Sequence, residues 1–258
     1  MFLLLLAVGC GGRFDLTATF SADAPAQIDP SLASLNLDIK DAFYGEVELD
    51  GQPMLFLVAT SFKDACDAYS AYVPVADESY ATANAASGGE EEDALLAWGA
   101  AMDAHFAPGD TVFFLSLGAA SLDPSDTQRT YSTTSDPATT TVSQAQGAQP
   151  TGAFVADLFV LTEALDPLCL YDLSCTDAEN EAAFDSLNNW YGADAGSITI
   201  SKHRNHDTLE GTSDAHYVSR FLDSTFGVPA ELGDASASFK VPYCDGLDER
   251  LFRFWAFL

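Results

Sequence analysis

Positive charge is the scarcest commodity in this sequence: 10 Lys and Arg stand against 39 Asp and Glu, a formal charge of -29. Nucleic-acid binding needs clustered cations that displace phosphate counterions, so that class is excluded. The same balance argues against electrostatic docking onto anionic lipid. Long apolar runs are missing as well, none reaching the roughly 18 residues from which a membrane-spanning helix is built. Catalytic signatures are absent in turn: there is no G-x-S-x-G elbow, P-loop, dinucleotide fingerprint, H-E-x-x-H pair or EF-hand loop. Cysteine is sparse, five in 258 residues, and no two stand in C-x-x-C spacing.

What the chain does have is core-forming material. A hydrophobic content of 48% and an aromatic content of 12% describe an acidic, soluble, globular body, not a disordered one. Its only lysines are Lys40, Lys63, Lys202 and Lys240. Such an acid excess suits saline surroundings, where a Debye length of roughly 3 Å at 1 M damps self-repulsion while the surface stays hydrated.

The first residues read MFLLLLAVGCGG, an apolar run from Phe2 to Val8 followed by small residues and Cys10. Ala7-Val8-Gly9-Cys10 resembles the bacterial lipoprotein signal, with Leu6 one place earlier than that pattern has it and no Lys or Arg ahead of the apolar run. The resemblance implies a signal peptide over 1–9, cleavage before Cys10 and a diacylglycerol-modified tether at 10–12. The protein would then be held on a membrane by acyl chains, each buried methylene contributing about 0.8 kcal/mol. Gly11 after the cysteine, in place of Asp, implies the outer membrane or cell surface.

Without Cys10 four cysteines remain, an even number that fits two disulfides in an oxidising compartment. Three connectivities are possible. The local choice joins Cys169 to Cys175 and leaves Cys66 with Cys244; loop entropy gives these about 2 and about 5 kcal/mol respectively.

Along the body, one domain is expected over 13–258, most of it in strands. Phe14, Leu16, Ala18 and Phe20 alternate with Asp15, Thr17 and Thr19, and Leu35, Leu37 and Ile39 repeat the pattern. Strands at 44–49 and 53–60 flank Asp50-Gly51, a hairpin signal. Met54 to Val58 is apolar on both faces and reads as a covered, central strand. A short helix is expected over 63–72, carrying Cys66. A second follows Ser87, whose hydroxyl and Glu90 form a capping box, and ends at Pro108-Gly109. Strands are expected at 111–117, 153–162, 196–201, 214–222 and 235–243, a helix at 177–190, and a closing strand at 251–258. The stretch 119–152 is so polar that it reads as a long exposed loop. The sum is a mainly β, α+β fold: an antiparallel β-sandwich or partly closed barrel with two or three helices.

Chemistry-bearing residues are few. His203, His206 and His216 fall within fourteen positions, and with Asp207 or Asp214 they are the candidate zinc ligands. Glu90, Glu91, Glu92 and Asp93 are a calcium candidate, though acidic residues commonly crowd a helix start. With 27 Asp and 12 Glu, chance carboxylate pairs carry no diagnostic weight. The expected function is a non-enzymatic, lipid-anchored envelope module with a protein or glycan partner and no resident cofactor. The alternative is a tethered hydrolase, carboxylate-based and directed at polysaccharide, or a zinc-dependent one.

Overall fold

The computed structural model describes residues 12–20, 38–49, 52–85, 112–120, 127–132, 154–161, 176, 190–219, 231–245 and 247. Among them run β1 (Arg13–Phe20), β2 (Asp41–Leu49), β3 (Gln52–Thr60), α1 (Ala65–Ala85), β4 (Val112–Ala120), β5 (Thr130–Ser132), β6 (Phe154–Leu161), β7 (Trp190–Arg204), β8 (Thr208–Ser219) and β9 (Glu231–Pro242). All ladders are antiparallel, in the order β1-β9-β8-β7-β6-β4-β3-β2, with β5 beside β7. The described strands follow chain order along that path except at β5, which lies on β7, and at β1, where Arg13 lies opposite Lys240 and Phe20 opposite Gly233.

The two ends of this meander curl toward one another. Tyr44 of β2 forms a parallel bridge with Tyr243 just beyond β9, and the Cys244 N–H donates to the Tyr44 carbonyl at 2.8 Å. Gly12 sits where β9, β2 and the start of β1 converge; a Cβ there would lie 2.7 Å from Pro242 Cδ and 2.9 Å from the Ala42 carbonyl oxygen. Of the two expected architectures, the nearly closed barrel is the one adopted.

One core fills the barrel, because period-two alternation puts one side of every strand inside. Leu55, Leu57 and Ala59 of β3, Leu115 and Leu117 of β4, Ile198 and Ile200 of β7 and Phe239 and Val241 of β9 belong to it, with Tyr44, Tyr131, Tyr191 and Tyr217 as its bulkiest members. Burial pushes the Tyr217 phenol up, and the negative charge of Asp157 adds to that.

Outside β2 and β3 lies a second layer. Phe43, Met54, Phe56 and Val58 face away from the barrel yet are buried, as are Ala65, Tyr69, Tyr72 and Val73 of α1. Those helical positions follow i, i+4, i+7 and i+8, the stripe of a helix that packs on one side. The Phe43 and Tyr69 rings meet edge to face at 5.7 Å. Asp41 secures the helix start, its carboxylate accepting the Ala65 N–H at 2.9 Å. The helix extends well past 72, where the sequence reading ended it. Pro74 stands inside it on the exposed side, so the missing N–H costs a backbone bond without interrupting the buried stripe.

Two other boundaries differ from expectation. Trp190 opens β7 and does not close a helix, and the polar stretch 119–152 contributes β5. Tyr131, the only aromatic in that stretch, is fully buried and pairs with Ile198, which ties β5 down. The expected helices at 87–107 and 177–189 and the closing strand at 251–258 lie outside the described residues.

Candidate functional site

Polar side chains converge at the barrel mouth beside the β7–β8 turn. Ala42, Tyr44 and Glu46 occupy successive inward positions of β2, the first two fully buried and Glu46 keeping 29% side-chain exposure. On β7 a bulge between Ile200 and Lys202 restores the phase that points His203 inward, opposite Leu209, with 12% exposure. Closing the sheet brings these two strands face to face, and His203 Nε2 donates to Glu46 Oε1 at 3.0 Å. Asn205, with its amide turned toward the carboxylate, donates to Oε1 at 2.6 Å and Oε2 at 2.9 Å.

His206 forms the tip of the turn in the left-handed region, at φ 54°. Its ring stacks on Tyr243 at 4.5 Å, nearly parallel, and its Nε2 is 3.9 Å from Glu46 Oε2. Beneath the pair, Tyr44 donates its phenolic proton to the Arg204 carbonyl at 2.9 Å. Burial pushes the Tyr44 phenol up to about 12, a backbone hydrogen bond at Asp207 partly offsetting this and the charge of Glu46 adding to it. It therefore remains a donor at neutral pH. One carboxylate thus fastens a hairpin tip across the mouth, a latch assembled from β2 and the β7–β8 turn.

The candidate zinc ligands do not converge. His203 and His206 both turn to Glu46, whereas His216 lies on the outside of β8. There His216 Nδ1 donates to Asp194 Oδ1 at 2.6 Å. Leu209, opposite His203, precedes His216 by seven positions, roughly 23 Å along a strand. Asp207 pairs with Arg204 at 3.7 Å, and Asp214 is exposed opposite Ser197 and Ser236. Among the described residues, no three His, Cys, Asp or Glu side chains are grouped to hold a metal ion. The acidic run 90–93 is outside the described residues.

Cys66, in the first turn of α1, is joined to Cys244, just past β9, with 5.8 Å between Cα atoms and 178 residues between them in sequence. The bridge lies at the barrel seam and fixes the tail that pairs with Tyr44. Beyond it Leu247 is buried against Gly45, where a Cβ would stand 2.4 Å from the Leu247 carbonyl oxygen. Cys10, Cys169 and Cys175 fall outside the described residues.

Sequence reasoning missed Glu46, Tyr243 and Asp194. Glu46 left a faint signal, since it shares its alternation face with the apolar Tyr44 and so had to end up inside or at a rim. Asp194 left none, because its position depends on a second bulge between Ala193 and Ala195. No protein-family model, curated protein or solved structure matches this chain.

Proposed function

We propose that this chain is an exported, lipid-anchored protein of the cell envelope whose barrel is a non-enzymatic binding or structural module. The observation that carries the reading is the Cys66–Cys244 disulfide, a cross-link over 178 residues of the kind that persists in oxidising compartments and is rare in the cytosol. With that pair oxidised, Cys10 is the cysteine set apart, directly behind the apolar run from Phe2 to Val8. An acyl group there leaves Cys169 and Cys175 as the second pair. The tether would be short: Arg13, the first residue of β1, follows Cys10 by three positions, so the barrel would sit close against its membrane.

The barrel interior supports binding at the surface over catalysis in a cavity. Its axis is filled by tyrosine, leucine and phenylalanine side chains, and the carboxylate of Glu46 at the mouth is engaged by the hairpin tip. Partners therefore meet the rim and the outer faces. The test is fractionation of cells that express the full chain. Cys10→Ala should move the protein from the membrane pellet to the soluble fraction, and native protein should carry an acyl mass on Cys10. Unchanged fractionation, or an unmodified Met1 start, would overturn the proposal.

A further inference from the structure

In so acidic a chain, cations readily find carboxylates. Arg13 pairs with Asp15, Lys40 with Asp38, Arg204 with Asp207, and Lys202 and Lys240 share Glu210. Among the described residues, Lys63 and Arg129 form no such pair, and of the two Lys63 is exposed whereas Arg129 is half-buried. Its Nε and Nη2 are shielded from solvent and hydrogen-bond to no protein atom, although 39 acidic residues were available to meet them. A shielded donor without an acceptor is costly, and more so when it carries charge.

The side chain is held in place by its surroundings. The Arg129 N–H donates to the Thr127 carbonyl at 3.1 Å, and its own carbonyl accepts from Ile200 at 3.0 Å. Cζ lies 5.1 Å from the centroid of the Tyr131 ring, a cation–π contact to a residue whose hydroxyl donates to the same Thr127 carbonyl. Arginine and tyrosine thus share the inward side of β5, the strand that extends the sheet along β7 where β6 has ended. The two unpaired donors are neighbours on the guanidinium. Nε–H and Nη2–H lie parallel along one edge, the edge that matches two oxygens of a carboxylate or phosphate.

We propose that Arg129, seated on Tyr131, is an oxyanion site that takes a carboxylate or phosphate group of a ligand side-on through Nε and Nη2. The inference does not depend on where the protein resides. Carboxylate and phosphate share the paired-oxygen chemistry, and the experiment separates them.

Full-length protein is melted in chloride buffer and in acetate or inorganic phosphate at matched ionic strength. Wild type should gain Tm saturably, by roughly 3 °C or more, with one of the two anions. The anion that acts identifies the ligand group. Arg129→Met should lose this response, and Arg129→Lys, which keeps charge without the fork, should lose most of it. In chloride alone the Met variant should melt at or above wild type, since it removes an unpaired shielded cation. A Met variant that melts well below wild type in chloride would mean that Arg129 serves the fold and would overturn the proposal. So would an equal anion response in wild type and either variant, or no response of wild type to either anion.

Discussion

The outside of this barrel is finished in two ways. Over β2 and β3 the outward residues are Phe43, Met54, Phe56 and Val58, and α1 lies on them. Around β1, β9, β8 and β7 the outward rows are short and hydroxylic. Thr17, Ser236, Asp214 and Ser197 form one row by register, and Asp15, Ser238, Thr212 and Thr199 the next. β5 continues both rows with Ser132 and Thr130, and the Thr130 and Thr199 hydroxyls bond at 2.8 Å. Both regions turn an apolar row inward, with Gly211 and Ser213 standing among the apolar residues of the second. A strand that is apolar on both sides gains about 25 cal/mol for each Å² it hides, and thereby recruits a second layer. One that alternates with serine and threonine gains nothing from a cover and stays bare. The covered half is also where the chain is cross-linked.

The largest effect that would break this contrast is loss of the cross-link. A Cys66→Ser, Cys244→Ser double variant should lose about 5 kcal/mol of unfolding free energy in a denaturant titration. A loss below about 1 kcal/mol would show that the seam holds without the bridge. Next, Phe43→Ala on the covered side should cost about 3–5 kcal/mol, whereas Thr212→Ala on the bare side should change stability by less than about 0.5 kcal/mol. Similar losses from both would erase the distinction.

Titration sharpens it further. Tyr44, inside the barrel, has its folded pKa raised to about 12, with burial the main cause. Its contribution is fully present below the ordinary tyrosine pKa near 10 and is lost as pH rises from there through about 12, about 3 kcal/mol in all. Burial also pushes up Tyr69 on the covered side. Glu210, on the bare side, is held below its ordinary range by hydrogen bonds from Lys202 and Lys240. Its smaller contribution is present above the ordinary glutamate pKa and fades as pH falls through the lowered one. Added salt should weaken the Glu210 effect and leave the alkaline one nearly unchanged, both read as Tm against pH.

Most of the strand pattern was legible. The alternation in β1 and β9, and the doubly apolar run in β3, distinguish bare from covered strands by pattern alone. Of three possible connectivities, the one favoured by the nearness of Cys169 to Cys175 contains the Cys66–Cys244 bridge that forms. What was hidden depends on closure or on phase. Glu46 and His203 meet because a sheet curls, an event that no local window contains. His203 and His216 part because they stand far apart along the hairpin and on opposite sides of it. Pro74 concealed the length of α1, since its effect depends on which side of the helix it occupies.

Among the described strands, β1 is the first to leave the ribosome, and β9, the last of them, is its ladder partner. Whatever order the middle strands take, this one must wait until β9 has been made before its backbone groups are satisfied. Until then an alternating strand with Phe14 and Leu16 on one side is open to any edge it meets. The risk ends when β9 arrives, because the two strands then close each other's edge.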